Sequence, residues 1–580
     1  MHRHSMSRPV VEIQRVWFQP ASSYSTYKEA GDMRSSGKCN GGHSWKRTLL
    51  LWMSIATGPA VYSAAATASE DNAQQIARCA ALQQAQIKDT RIELAQALPA
   101  GSSLTKVDGT SATTSTPVCR VVATVSTAAE KHLGIEVWLP LADWNGRLLG
   151  TGKSGFGGYI DYNELTAAVA RRFAAVNSDT GHKGKGSGEP GKLLEWAANP
   201  ETLRDWGHLS VHLMTVAAKK LIQAYYGQSA QYSYLDTCGG VEAMTEVEYF
   251  PDDYDGVAAR SPGIYYSHLM ESFLWGAMLP AHQPDALLTH DALALLNHAV
   301  LQSCGGVHAL EDGFLEHPMQ CHFDPAQLQC KTGDTPANCL GAAQVQQAQR
   351  LYSPPRNALT GDALYPGFAR GSELAWGAIQ YHLAAYYAQP LLASAVFGNA
   401  AWEWTTYDFG ADSALVDRKL GLLLNATNPD ISRFAARGGK LIMTQGWADE
   451  VNAPTKPIEY FDAVAKHEGG IASAQRSFRL LMVPGMGHCG IGPGPTTIGG
   501  ALPPTKYSPD RDVVSALQAW VEHGKAPTRF ISTKYVGDKP SNGVKFERPV
   551  CVYPMESRYS GSGDRRLAGS FSCVKATVSR

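Results

Sequence analysis

Apolar and polar residues along this chain follow two textures, and each predicts its own elements. Val121–Val125 and Gly134–Pro140 are rich in β-branched residues and predict strands. Arg147–Thr151 predicts a strand that runs into a glycine-rich turn, Gly155-Phe-Gly-Gly158. Phe173–His182 predicts another strand and turn. Leu209–Tyr226 has apolar positions at helical spacing. A short strand around Tyr232–Leu235 ends at Asp236-Thr-Cys-Gly-Gly240, and Glu242–Tyr249 reads as a helix. Strands that alternate with helices predict an α/β fold with a mainly parallel sheet. Residues 67–115 precede this, with a helical Ala/Gln/Leu pattern and then a Ser/Thr-rich stretch.

From about Tyr265 to Asn428 the texture changes. Trp and Tyr become frequent, strand signals fade, and four cysteines cluster between Cys304 and Cys339. This predicts an inserted, mostly helical subdomain. The α/β pattern resumes through Gly438–Asp449 and Phe478–His488.

The amino-terminal 66 residues read as a presequence. An apolar run from Leu49 follows Lys46-Arg47 and closes on small residues at Ser63–Ala66, as a secretory signal peptide does over about residues 45–66. Because such a signal normally lies near the first residue, the initiator is expected at Met33. No other apolar stretch of spanning length occurs, so no stable membrane insertion is expected after cleavage. Of 11 cysteines, Cys39 lies in the presequence. The remaining even number suits an exported chain, periplasmic or extracellular, with up to about five disulfides. No CxxC pair supports a zinc ribbon. With 51 Lys+Arg against 52 Asp+Glu, the chain lacks the basic excess of a nucleic-acid binder.

Three strand-end turns carry candidate chemistry. Leu235-Asp-Thr-Cys-Gly-Gly240, between a strand and a helix, has the form of a nucleophile elbow. Gly446-Trp-Ala-Asp449 and Gly485-Met-Gly-His-Cys489 follow later strands. Nucleophile, acid and histidine thus occur in the chain order of the α/β-hydrolases.

Several long segments are similar to the tannase and feruloyl esterase family, which includes fungal feruloyl esterases, tannases and bacterial MHET hydrolase. They are Val137–Gly152, Ser178-Asp-Thr-Gly-His182, Phe250–Gly256, Val483–Cys489 and Arg548-Pro-Val-Cys551. The resemblance runs from about Cys79 to Val574. It implies an α/β-hydrolase fold with core residues 67–264 and 429–580 around a large, mostly helical lid at 265–428. It implies hydrolysis of a small-molecule ester of a phenolic or other aromatic acid, with Asp449 as triad acid and His488 as base. Lid aromatics such as Trp402, Trp404 and Tyr407 are candidates for stacking on the acid ring.

The family elbow reads Gly-Cys-Ser-x-Gly-Gly. Counted without gaps from Phe250-Pro251, Thr237 takes the serine's place and Asp236 that of the preceding cysteine. In the family that cysteine pairs with the one after the catalytic histidine, here Cys489. Cys238 lies two positions later than that cysteine and could still bridge to Cys489, the remainder once the plausible pairs Cys79–Cys119, Cys304–Cys321, Cys330–Cys339 and Cys551–Cys573 are set aside. Three readings of the elbow stay open. Thr237 attacks, with its extra methyl crowding the turn; or Cys238 is a thiol nucleophile; or the site is inactive and the protein binds a ligand. If Thr237 attacks, the oxyanion donors are expected from the N–H of Cys238 and from Gly155 in the Gly152-Lys-Ser-Gly155 turn. Asp236 would oppose a developing oxyanion if it pointed inward. The family's calcium loop is eroded to Cys304–Gly313, where Asp312 alone remains of three carboxylates. No cofactor and no tight calcium site are therefore expected.

Overall fold

A computed structural model describes residues 73–107, 109–128, 130–152, 155–499 and 507–576. The presequence, its signal peptide, Met33 and Cys39 lie outside these residues.

Nine strands form the central sheet: β1 (Thr90–Leu98), β2 (Val118–Ala128), β3 (Lys131–Pro140), β4 (Arg147–Thr151), β5 (Ala174–Ser178), β6 (Tyr232–Cys238), β7 (Gly256–Arg260), β8 (Lys440–Gly446) and β9 (Phe478–Val483). Their spatial order is β1-β2-β3-β5-β4-β6-β7-β8-β9. β2 is antiparallel to both β1 and β3, and β3 is antiparallel to β5. From β5 to β9 every pairing is parallel. The exchange of β4 and β5 in space, followed by a parallel run, is an α/β-hydrolase arrangement.

Burial explains the strand sequences. β5 and β7 are buried at every position and β8 at all but its first, as parallel strands covered on both faces must be. Helices supply the covering layers. Helix α1 (Ser210–Tyr226) ends at Gly227, whose φ of +73° closes it in the left-handed conformation. Helix α2 (Glu242–Tyr249) follows β6 directly.

Between the adjacent strands β7 and β8 the described residues form helices and no strand. The longer ones are α3 (Tyr266–His282), α4 (His290–Asp312), α5 (Ala342–Tyr352) and α6 (Ala411–Leu424). The insertion closes on itself where Tyr265 bridges Asn425 and the Ala426 N–H donates to the Ile264 carbonyl at 3.1 Å. After β8 come α7 (Lys456–His467) and α8 (Val513–His523). Val513, Leu517 and Trp520 of α8 pack on Tyr234, Ala258 and Ile442 of the sheet. The described residues after α8 meet the central sheet at a single bridge, Val552 with Leu481 of β9. They form two antiparallel pairs, Arg529–Tyr535 with Val544–Cys551 and Met555–Tyr559 with Phe571–Lys575.

Five disulfides are present, the four plausible pairs Cys79–Cys119, Cys304–Cys321, Cys330–Cys339 and Cys551–Cys573 and the bridge left open, Cys238–Cys489. Among the described residues no helix is long and apolar enough to cross a membrane.

Candidate active site

Two laced turns bring an acid and a base together. After β8 the chain turns at Gly446, and after β9 it turns through Gly485-Met-Gly-His488. The Trp447 N–H donates to the Val483 carbonyl at 3.0 Å, and the Ala448 N–H to that of Met486 at 2.8 Å. Gly446 is required, because a Cβ there would stand 2.1 Å from the Met486 oxygen. The result places His488 Nδ1 3.2 Å from both carboxylate oxygens of Asp449.

Asp449 is fully buried yet well satisfied. Its Oδ1 accepts from the N–H groups of Val451 at 2.9 Å and Asn452 at 2.8 Å. Its Oδ2 accepts from Gln445 Nε2 at 2.8 Å. Burial alone would raise this carboxyl, but the charge and hydrogen bond of His488, with the N–H groups of Asn452 and Val451, hold it below its ordinary value. Burial likewise disfavours a charged His488, and Asp449, followed by Glu450, outweighs it and holds the imidazole above its ordinary value. Glu450 itself is pushed up to about 7, by burial and then by the charge of Asp449. It also accepts from the His488 backbone N–H at 3.3 Å.

The third partner is not where the gapless count put it. β6 stays extended through Thr237 and Cys238, which pair in register with Ala259 and Arg260 of β7. The left-handed residue of the strand-to-helix turn is Gly239, at φ +84°. A Cβ built on Gly239 would stand 3.0 Å from His488 Nε2. Thr237 faces elsewhere. Its hydroxyl is buried without a hydrogen-bond partner. A Cβ at Gly152 would lie 1.9 Å from that oxygen, so the threonine is wedged against the β4 turn rather than set on the histidine. The structure therefore pairs Asp449 with His488 and does not bring Thr237 to them.

Cys238 is not a thiol nucleophile either, because its sulfur is bonded to Cys489. That bridge makes Cys238, not Asp236, the partner of the cysteine that follows His488. With Cys238 as the cysteine that precedes the hydroxyl, Gly239 falls in the serine's place. In that register the residue that follows the hydroxyl position is Gly240, not Cys238. Gly155, the other expected donor, does line the same cavity as Gly239 and His488. Lys153 and Ser154, between Gly152 and Gly155, lie outside the described residues. Asp236 offers no repulsion to the site, since it accepts from Arg260 Nε at 2.6 Å in a buried ion pair.

The cavity over this turn measures 100 Å³. Core residues Gly155, Gly239, Val451 and His488 form one wall. The helical insertion supplies the other, with Tyr266, Leu269, Met270 and Phe273 of α3 and, beyond it, Leu383 and Tyr387. The aromatics singled out from sequence sit elsewhere. Trp404 and Tyr407 are buried in the insertion, where the Tyr407 hydroxyl donates to Glu271 and Trp402 stacks on Phe397 at 4.3 Å. A stretch dense in aromatics does not by itself separate ring-lined pocket from packed interior.

The residues around Asp312 do not fit a calcium ion. Residues 304–312 are the last turns of α4, kinked at Gly306, rather than a chelating loop. The Asp312 carboxylate accepts from Arg548 at 2.8 Å and from Arg565 at 3.1 Å. Arg548 is itself buried and also donates to Glu316 at 2.7 Å. A dication at this carboxylate would face two guanidinium groups.

Comparison with known proteins agrees with this architecture. The sequence profile of the tannase and feruloyl esterase family matches residues 119–574. An uncharacterised esterase of Xanthomonas campestris is 33% identical, the match covering 86% of this chain and 91% of that protein. A probable feruloyl esterase B-2 of Aspergillus flavus is 31% identical, with 80% and 90% covered. The crystal structure of feruloyl esterase B from Aspergillus oryzae superposes with a TM-score of 0.79 at 27% identity, covering 86% of this chain and all of that one.

Proposed function

This chain belongs to the tannase and feruloyl esterase family, and we propose that it is an exported carboxylic ester hydrolase acting on small esters of phenolic or other aromatic acids. One observation carries the reading: a buried, fully hydrogen-bonded Asp449 holds His488 by Nδ1, which leaves Nε2 toward a cavity walled by Tyr266, Phe273 and Tyr387. In acyl transfer the imidazole takes the proton of the attacking hydroxyl and returns it to the leaving alcohol, while the carboxylate fixes the tautomer and stabilises the imidazolium. The aromatic wall suits the flat ring of an aromatic acid, and ring–ring contacts contribute roughly 0.5–1.5 kcal/mol each beyond area burial. The names of the feruloyl esterase relatives support that acid class. Five disulfides support an oxidising compartment.

The test is hydrolysis of methyl ferulate, methyl gallate and a terephthalate monoester by the mature protein beside His488→Ala. Turnover of at least one ester, lost in His488→Ala, is expected. A second reading, ligand binding without turnover, is favoured by Gly239, which presents no hydroxyl to His488. Binding of ferulate or gallate esters with no hydrolysis by the wild type would establish it in place of the first.

A further inference from the structure

We infer that Gly239 holds the place from which a nucleophilic side chain would attack, and that water deprotonated by His488 attacks the ester directly, without an acyl-enzyme. This rests on the hydrolytic reading above.

Four observations converge on it. The sharp strand-to-helix turn that exposes a nucleophile in this fold has its left-handed residue at Gly239. The turn is held there by the Gly239 N–H, which donates to the Arg260 carbonyl at 2.9 Å, and by the Gly240 carbonyl, which accepts from Gly263 at 3.2 Å. A side chain at position 239 would begin 3.0 Å from His488 Nε2, the one ring nitrogen that Asp449 does not engage. Neither neighbour substitutes for it. The Thr237 hydroxyl packs against Gly152 without a hydrogen bond, and the Cys238 sulfur is consumed in the bridge to Cys489.

An acid–base pair remains, aimed at a position that a glycine does not fill. The reaction these groups support is general-base hydrolysis. Water gives one proton to His488 Nε2 as its oxygen bonds to the ester carbonyl carbon, and the carbonyl π pair moves onto oxygen. When the tetrahedral oxyanion collapses, the bond to the alkoxy oxygen breaks and the Nε2 proton passes to the departing alcohol. One ester and one water give one acid and one alcohol, and His488 ends neutral. Candidate donors to the oxyanion are the N–H of Gly240, next in the chain to this position, and that of Gly155, which lines the same cavity.

The experiment compares the full mature protein with Thr237→Val and Gly239→Ser. Each is incubated with a fluorophosphonate probe and read by intact mass, and each is assayed for hydrolysis of the three esters with pre-steady-state sampling. The wild type is expected to hydrolyse without a burst and to carry no adduct. Thr237→Val, which keeps the side chain's shape, is expected to match the wild type within about twofold. Gly239→Ser is expected to take one phosphonyl group at position 239 and to gain on the order of 10²-fold in kcat/KM. An adduct on Thr237, a burst in the wild type, or loss of activity in Thr237→Val overturns the direct attack of water alone. These three readouts stand even if Gly239→Ser fails to fold. A folded Gly239→Ser that is neither labelled nor faster overturns the placement of residue 239. A wild type inert toward every ester beside an active Gly239→Ser defeats the hydrolytic reading and the water step together.

Discussion

His488 meets Asp449 symmetrically, with Nδ1 3.2 Å from each carboxylate oxygen. The carboxylate cannot swing away to accommodate a different ring orientation, because Gln445, Val451 and Asn452 hold both of its oxygens. This fixes which imidazole nitrogen faces the cavity. Asp449→Asn would retain the shape but present an amide N–H or carbonyl to Nδ1 and disturb the tautomer. We expect kcat/KM on methyl ferulate to fall by about 10²–10⁴-fold, with little change in thermal midpoint. A loss of less than twofold would show that the pair is structural only.

The electrostatics of this pair predict an acid limb. His488 accepts a proton only when neutral, and Asp449 holds it above its ordinary value. Activity should therefore decline as pH falls through a value above that of an ordinary histidine, about tenfold per pH unit below it. Glu450→Gln removes a negative charge that favours the imidazolium, so the limb should move to lower pH. The same substitution changes stability. The Glu450 carboxyl rises from an ordinary 4.5 to about 7 on folding, so its contribution is full below 4.5 and is lost as pH rises through about 7. Glu450→Gln should flatten that decline in denaturation midpoints measured between pH 5 and 8. An unmoved limb would remove Glu450 from the electrostatics of the base.

Asp449 and His488 were legible in the sequence because each follows a buried apolar strand in a turn of small residues, a local pattern that tertiary packing does not alter. The parallel sheet was legible for the same reason at β5 and β8, whose largely apolar strands run into turns, whereas β7, the short segment Gly-Val-Ala-Ala-Arg, gave no strand signal of its own. The elbow was not, because a count from Phe250-Pro251 assumes that strand and helix share the family's lengths. β6 instead continues through Cys238, and the bend falls two residues later. The signal that finds it is the cysteine pair. Once Cys238 is tied to Cys489, the residue beside His488 must be Gly239. The carboxyl-terminal antiparallel pairs were missed because their strands are short and belong to no α/β alternation.

That same bridge is expected to matter for stability and activity together. It joins residues 251 apart and fixes the His488 turn to the end of β6. The double variant Cys238→Ala/Cys489→Ala, which leaves no free thiol, should lose about 2–5 kcal/mol in guanidinium denaturation and most ester turnover. Cys330→Ala/Cys339→Ala, which opens a bridge of separation 9 away from the cavity, should lose less stability and retain turnover. Equal activity in the two double variants would show that the first bridge does not position the histidine.

Charge compensation at Asp312 predicts indifference to calcium. Here Arg548 and Arg565 already neutralise the carboxylate, and Arg548 is further tied to Glu316. Calorimetric titration with calcium chloride should show no micromolar binding, and EDTA should leave the thermal midpoint unmoved. Micromolar binding would overturn this account of the segment. The ion pairs are expected to hold the insertion to the carboxyl-terminal strands in the metal's stead. Asp312→Asn leaves the buried Arg548 with Glu316 as its one carboxylate partner, which should cost about 1–3 kcal/mol. Arg565→Ala, at the exposed side of the same carboxylate, should cost less, roughly 0–1 kcal/mol. If the two variants are equally stable, the buried pair contributes no more than a surface one, and the packing of Phe314 and Phe546 around Arg548 must hold this junction instead.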